Sequence, residues 1–266
     1  MIDRKNNMKI LVCIKQVVCS ESSLELNPNG KWIQETDSTE FRMNRFDEYA
    51  LEEALLIKEA NPGVTIDVVS VGPNRVKDVV KKGLSKGADN GVHILYEESG
   101  YCPPRKIAHQ IAGYAGKQSY DLILTGVMAE DDMLCQVGPM TASLLSIPCA
   151  VSVIKEEIDL VNRMITVQSE MESGKVEEVI LSLPALLTIQ TGINQPRYPS
   201  LSNIVRANSQ ELIDVQASFQ EESPDKVTLL SIDYPAKSSK ICILEGSAEE
   251  KAEQLLTIFH NRSLLK

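Results

Sequence analysis

Asp121-Leu-Ile-Leu-Thr-Gly-Val-Met-Ala-Glu-Asp-Asp-Met-Leu-Cys-Gln-Val-Gly-Pro139 is the stretch on which the fold turns. Asp121 to Thr125 is a short apolar run closed by Gly126, the pattern of a strand buried on both faces. Val137 to Leu145 reads as a helix, with Pro139 near its start, where proline is well tolerated. A helix start just past a strand end presents free backbone N–H groups and the positive end of the helix dipole. That construction reads either as an anion site or as a plain helix start. Gly138, lacking a side chain, is read here as leaving room for a ligand to approach the backbone.

Upstream the same alternation repeats. Lys9 to Ile14, Thr65 to Val71 and Gly91 to Leu95 are further buried strands, and helices are expected over Asn44 to Ala60, Val76 to Leu84 and Pro104 to Gly116. Asn44, followed three residues later by Asp47, reads as a capping pair. Alternation continued to about residue 147 predicts right-handed crossovers and a parallel sheet with helices on both faces. Ligands of such a sheet lie beyond the carboxyl ends of its strands, at the switch point. Three segments should meet there: Cys13 to Val17, Ser70 to Pro73 and the loop after Gly126.

Downstream the pattern changes. Strands are expected at Val151 to Ile154, Met164 to Met171, Val176 to Leu183 and Leu186 to Gln190, with a hairpin turn at Glu172 to Lys175. This is a β-rich continuation rather than another crossover unit. Asn194 to Asn208, with two prolines and little periodicity, reads as an ordered loop. Residues 215–240 read as an extended arm, and Ala248 to His260 as an amphipathic helix. The expected division is a nucleotide-binding α/β domain over residues 1–214 and a C-terminal arm and helix over 215–266.

Composition excludes several classes. A formal charge of -10 over 266 residues disfavours a nucleic-acid partner, whose phosphates would be repelled. The apolar run Ile10 to Ile14 is too short for a signal or a span, and no later run reaches about 18 residues, so a cytoplasmic protein without a membrane span is expected. The six cysteines include no CxxC pair and histidines number three, which gives a zinc site no support; the cysteines read as small buried thiols. No HExxH, phosphate-loop lysine motif or GxGxxG is present. His93 and His109 are assigned structural or surface roles, and Glu52-Glu53 a solvated face. The residues by themselves therefore reach a nucleotide-binding α/β domain without covalent catalysis of its own.

Four stretches then carry a resemblance. Lys9-Ile-Leu-Val-Cys-Ile-Lys-Gln-Val17, Met43-Asn-Arg-Phe-Asp-Glu-Tyr-Ala-Leu-Glu-Glu-Ala-Leu55, the Asp121 to Pro139 segment, and Asn194-Gln-Pro-Arg-Tyr-Pro-Ser-Leu-Ser-Asn-Ile204 together resemble the beta subunit family of electron-transfer flavoproteins. The last, similar to an NEPRYPSLPNI signature, is the most specific.

The resemblance implies an adenine nucleotide alpha hydrolase-like fold and a heterodimer with a larger alpha subunit. It implies FAD shared with or held by that subunit, and AMP or a second FAD in the beta subunit. The implied work is passing electrons from a flavin-dependent dehydrogenase, such as an acyl-CoA dehydrogenase, to an acceptor. A bifurcating type oxidising NADH, or a non-redox nucleotide-binding module, are the alternatives. Implied nucleotide-binding residues are Cys13 through its backbone, Asn44, Val71, Asp131, Cys135, Gln136, Val137 and Gly138. Asn44 would suit adenine, and Gln136 to Gly138 the phosphate. The implied recognition loop, residues 194–206, carries Pro196, Arg197, Tyr198, Leu201 and Ile204, with Leu201 as the anchor on a dehydrogenase. The chain departs from the family where Asp131-Asp132-Met133-Leu134 replaces a common Asp-Gly-Asp-Thr run, where Val18-Cys19 replaces Pro-Asp, and where Arg206-Ala-Asn-Ser209 replaces a lysine cluster.

Overall fold

The computed structural model describes residues 8–19, 21–22, 24–28, 30–97, 100–217, 227, 229–234 and 241–264. In chain order the first elements are strands β1 (Lys9–Cys13), β2 (Gln16–Val18) and β3 (Phe41–Met43), helix α1 (Arg45–Ala60), strand β4 (Thr65–Gly72) and helix α2 (Lys77–Lys86). Strand β5 (Asn90–Leu95), helix α3 (Pro104–Ala115), strand β6 (Leu122–Gly126) and helix α4 (Val137–Leu145) follow. Then come β7 (Cys149–Asp159), β8 (Met164–Glu170), β9 (Val176–Ser182), β10 (Ala185–Ile189), helix α5 (Leu201–Ser209), β11 (Ile213–Gln216) and helix α6 (Ala248–Asn261).

Nine strands form one sheet in the order β11-β5-β4-β1-β6-β10-β7-β8-β9, parallel from β11 to β7 and antiparallel from there to β9. The α/β, doubly wound architecture expected from the alternation is present. β1 shows why its residues form the centre. Ile10 and Val12 point into the core shared with Leu51, Ala54, Val68 and Leu84, whereas Leu11 and Cys13 point into the core with Ile111, Ala115 and Ala142. A strand covered on both faces has no polar side to alternate, hence its continuous apolar run.

The β-rich continuation has a more specific form than its sequence shows. β10 does not extend the meander; it returns and inserts between β6 and β7, parallel to both. β7 is long enough to serve two neighbours. Its first residues pair with β10, and from Val153 onward it pairs with β8, across a register shift. All five residues of β10 are buried.

Three expectations need correction. The segment over 194–208 is not loop throughout: from Leu201 it is helix α5, capped by the Ser200 hydroxyl, which accepts from the Asn203 N–H. The cysteines are all free, but only Cys13 is buried, and Cys135 and Cys242 are exposed. Within residues 215–240, Gln216 ends strand β11, while 218–226, 228 and 235–240 lie outside the described residues.

Residues 1–232 and 233–266 form two separate compact units. In the second, α6 starts with a reciprocal cap between Ser247 and Glu250 and carries half-exposed Leu255 and Leu256. No helix among the described residues is long and apolar enough to cross a membrane.

Leu187 is fully buried in β10 at the middle of the sheet. Leu187→Ala is expected to lower unfolding free energy by about 2–5 kcal/mol, measured from the urea midpoint at unchanged m-value.

Candidate functional site

The chain winds from β1 to β4 and β5 on one side, then crosses to β6 on the other, so the switch point falls between β1 and β6. Beyond the carboxyl ends of these strands lies a cavity of about 570 Å³, within the usual range for small-molecule sites. Cys13, Asn44, Val71, Asp131, Cys135, Gln136, Val137 and Gly138 all line it. The structure thus brings together every residue singled out for nucleotide contact.

The opening between β1 and β6 is pinned by Asp47, in the first turn of α1. Its carboxylate accepts from the Lys15 N–H at 2.7 Å and the Gly126 N–H at 3.0 Å. The approach is close: a Cβ on Gly126 would lie 2.6 Å from Asp47 Oδ1 and from Phe46 Cβ, so only glycine ends β6 here. Burial pushes the Asp47 carboxyl up to about 7, against the hydrogen bonds from Lys15, Asn44 and Gly126 that favour the charged form.

The other wall is the loop from β6 to α4. Lys15 Nζ bridges Asp131 at 2.7 Å and Asp132 at 3.1 Å. Burial disfavours the Lys15 charge, but the two aspartates outweigh it and hold its pKa above the ordinary value. Asn44, at the N-cap position of α1, makes no capping bond with its side chain. Its amide instead donates to the Met128 carbonyl at 2.9 Å and accepts from the Glu130 N–H at 3.1 Å. The capping-pair expectation is therefore corrected: Asn44 shapes the loop wall, and Asp47 the strand ends.

Two non-glycine residues of this loop, Met133 and Cys135, have φ of +50° and +56°. Such residues cost on the order of 1–3 kcal/mol each and concentrate at ligand sites. Gln136 follows with helical angles. A positive-φ residue followed by a right-handed one turns successive N–H groups toward one point, an anion-binding concavity. No side chain caps the start of α4, and Cys135, Gln136, Val137 and Gly138 line the cavity. Gly138 has a different role from the one expected. A Cβ there would meet Thr125 Oγ1 and Thr188 Cγ2, each at 2.8 Å; the missing side chain lets α4 sit close on β6 and β10, rather than admitting a ligand.

Around the rim stand Trp32, Phe41, Arg75 and Tyr101, with Val71, Ile107 and Ile111 forming an apolar side. The Cys13 thiol is pushed well above its ordinary pKa by burial and the nearby Asp47 charge, and stays protonated. His93 is buried, with ring nitrogens 3.0 Å from Asp214 Oδ1 and 2.9 Å from the Gly72 carbonyl. That is the structural role expected of it; His109 is exposed.

A second constellation lies behind α1. Glu52 and Glu53, expected on a solvated face, are 4% and 7% exposed. Glu52 takes the Arg197 guanidinium and the Arg197 N–H, and Glu59 takes a further guanidinium nitrogen. Glu53 accepts from Asn194 Nδ2 at 2.7 Å. Burial, then the Glu53 charge and hydrogen bond, push Glu156 up to about 7. Arg197 and Asn194 thus seat the segment, with Pro196 and Ile204 half-buried. Tyr198 at 96% exposure, Leu201 at 83% and Val205 at 70% stand free on it. Val205 was not singled out in the sequence; the i, i+4 spacing from Leu201 on a helix would have found it.

The family model described as electron transfer flavoprotein domain matches residues 31–220. The chain belongs to the electron transfer flavoprotein family. It is 34% identical over 254 residues to electron transfer flavoprotein subunit beta, mitochondrial, of Arabidopsis thaliana, covering 95% of this chain and 99% of that protein. The corresponding protein of Methylophilus methylotrophus is 31% identical, covering 95% and 98%, and that of Bacillus subtilis 32%, covering 96% and 99%.

Against this electron transfer flavoprotein framework, sequence reasoning overlooked Asp47 as the strand clamp and Lys15 as the loop bridge. Asp47 had been absorbed into a cap. The signal for Lys15 was a lone lysine directly after a buried strand.

Asp47→Asn replaces one carboxylate oxygen with an amide facing a backbone N–H. At pH 5 the variant is expected to be about 1–3 kcal/mol less stable than the wild type. The wild-type carboxyl has its folded pKa raised from 3.8 to about 7, so its stabilisation is complete below pH 3.8 and is lost as pH rises through 7, by on the order of 4 kcal/mol. The deficit of Asp47→Asn should therefore shrink from pH 5 to pH 8 in urea titrations. A constant deficit would refute the assignment.

Proposed function

We propose that this chain is the beta subunit of a heterodimeric electron transfer flavoprotein. In this reading its crevice holds the adenylate part of AMP or of a second FAD, and a larger alpha subunit holds or shares the redox-active FAD. One observation carries the reading: a single cavity gathers the uncapped start of α4, the positive-φ turn at Cys135 and the ends of β1, β4 and β6. The relatives are each named subunit beta, which supports the subunit assignment.

The residues present suit a nucleotide. Both cations on the rim are already paired, Lys15 with Asp131 and Asp132, and Arg75 with Glu35. A phosphate is therefore held by the N–H groups of Gln136 to Gly138 and the helix end, not by a free side-chain charge. Val71, Ile107 and Ile111 offer adenine an apolar wall. When bound, FAD supplies the electron relay; the protein positions and covers it. The chain needs no covalent catalysis of its own.

Tyr198, Leu201 and Val205, with Pro196 and Ile204 beside them, form the docking surface for a flavin-dependent dehydrogenase such as an acyl-CoA dehydrogenase. Arg197 presents them from its seat on Glu52. Apolar anchors on a pre-stiffened segment lose little entropy on binding. Residues 215–266 engage the alpha subunit, and the complex works in the cytoplasm.

Purification with the partner subunit, followed by extraction, is expected to yield FAD and one adenine nucleotide assigned to this chain. One FAD with one AMP marks a simple carrier, and two FAD a bifurcating one. A stable, colourless monomer with neither would contradict the proposal.

Leu201→Ala should weaken electron transfer from the dehydrogenase by about 2 kcal/mol, roughly 30-fold in kcat/KM, at unchanged nucleotide content. Unchanged kcat/KM would remove Leu201 from the docking surface.

A further inference from the structure

Between β2 and β3 the chain makes a long excursion, Cys19 to Glu40, whose described residues carry turns and one isolated bridge, Leu26 to Ile33. Its base is firmly tied. β2 and β3 pair antiparallel, the Cys19 N–H donates to the Glu40 carbonyl at 2.8 Å, and the Asn44 N–H to the Lys15 carbonyl at 2.9 Å. Farther out, Trp32 and Glu35 face the crevice from above the strand ends.

Among the described residues, two side-chain contacts reach from the outer part to the opposite rim. The rings of Trp32 and Tyr101 stand 5.3 Å apart at 52°, joining the excursion to the segment after β5. Glu35 pairs with Arg75 at 2.7 Å, and Arg75 lies 4.1 Å over the Phe41 ring. Among the described residues, a backbone hydrogen bond from the Ile232 N–H to the Gly30 carbonyl also ties the tip. A tilted aromatic pair shifts an equilibrium by about tenfold at most, and a partly exposed ion pair by about threefold. These contacts are strong enough to favour closure and weak enough to break often. A firmly tied base with an outer part joined to the far rim by such contacts is the construction of a gate.

We propose that this excursion is a lid, latched over the crevice by Trp32 on Tyr101 and Glu35 on Arg75, and that a nucleotide enters and leaves when the latch opens. The inference rests on the crevice being a nucleotide site. Closure sets the exchange rate more than the affinity, because opening speeds entry and exit together.

Trp32 is the single tryptophan of the chain, so its emission reports the latch directly. The test uses the full-length chain, with AMP as the probe. Equilibrium dialysis measures affinity, and a chase of radiolabelled AMP with excess unlabelled AMP measures release. Tyr101→Ala is expected to speed release about tenfold and Glu35→Gln about threefold, with association accelerated in parallel and Trp32 emission red-shifted in free Tyr101→Ala. Glu35 is a surface position, so Glu35→Gln keeps the test valid if Tyr101→Ala folds poorly by circular dichroism. AMP binding with wild-type release rates in the folded variants would overturn the lid while leaving the site intact. Failure of AMP to bind the wild-type chain would overturn both.

Discussion

One buried carboxylate holds the crevice in shape. Asp47 reaches from the first turn of α1 to the backbone N–H groups of Lys15 and Gly126, just past β1 and at the end of β6. At this point the winding of the sheet reverses and neighbouring strands part company. Without an acceptor there, two buried N–H groups would be orphaned, a loss comparable to a large part of a domain's net stability. With it, the start of α1 is drawn against β6 so closely that residue 126 must be glycine. Backbone hydrogen bonds and the first turn of a helix, where negative charge is favoured, offset part of the burial, which still raises the carboxyl's pKa to about 7.

The same helix organises the second surface. Its amino end shapes the crevice through Asn44 and Asp47, while its rear face presents Glu52, Glu53 and Glu59 to Arg197 and Asn194. A single rigid element therefore fixes both the cavity wall and the seat of Tyr198, Leu201 and Val205. Glu52 and Glu59 share the Arg197 guanidinium there, whereas burial first, and then the charge and hydrogen bond of Glu53, raise the pKa of Glu156.

Much of the architecture was legible because buried parallel strands write themselves as unbroken apolar runs. Lys9 to Ile14, Thr65 to Val71 and Asp121 to Thr125 lie within a residue or two of β1, β4 and β6. The placement of β10 was not legible: Ala185 to Ile189 reads the same whether it closes a meander or inserts between β6 and β7, and only the length of β7 makes the insertion feasible. β2, β3 and β11 are too short to show a period. Glu52 and Glu53 were misjudged because a charged pair on a helix is normally solvated; their partners lie more than 140 residues away. The crevice residues were found through a resemblance, and the geometry adds causes it did not contain: Gly138 packs against Thr125 and Thr188, and Asn44 holds the loop rather than standing free.

The central claim is that backbone amides at the start of α4 grip a nucleotide phosphate. Amide chemical shifts of the isotopically labelled chain during an AMP titration test it most directly. The account predicts the largest shifts at Gln136, Val137 and Gly138, saturating together with those of Val71. Shifts that leave these three amides unmoved while AMP binds elsewhere would contradict it.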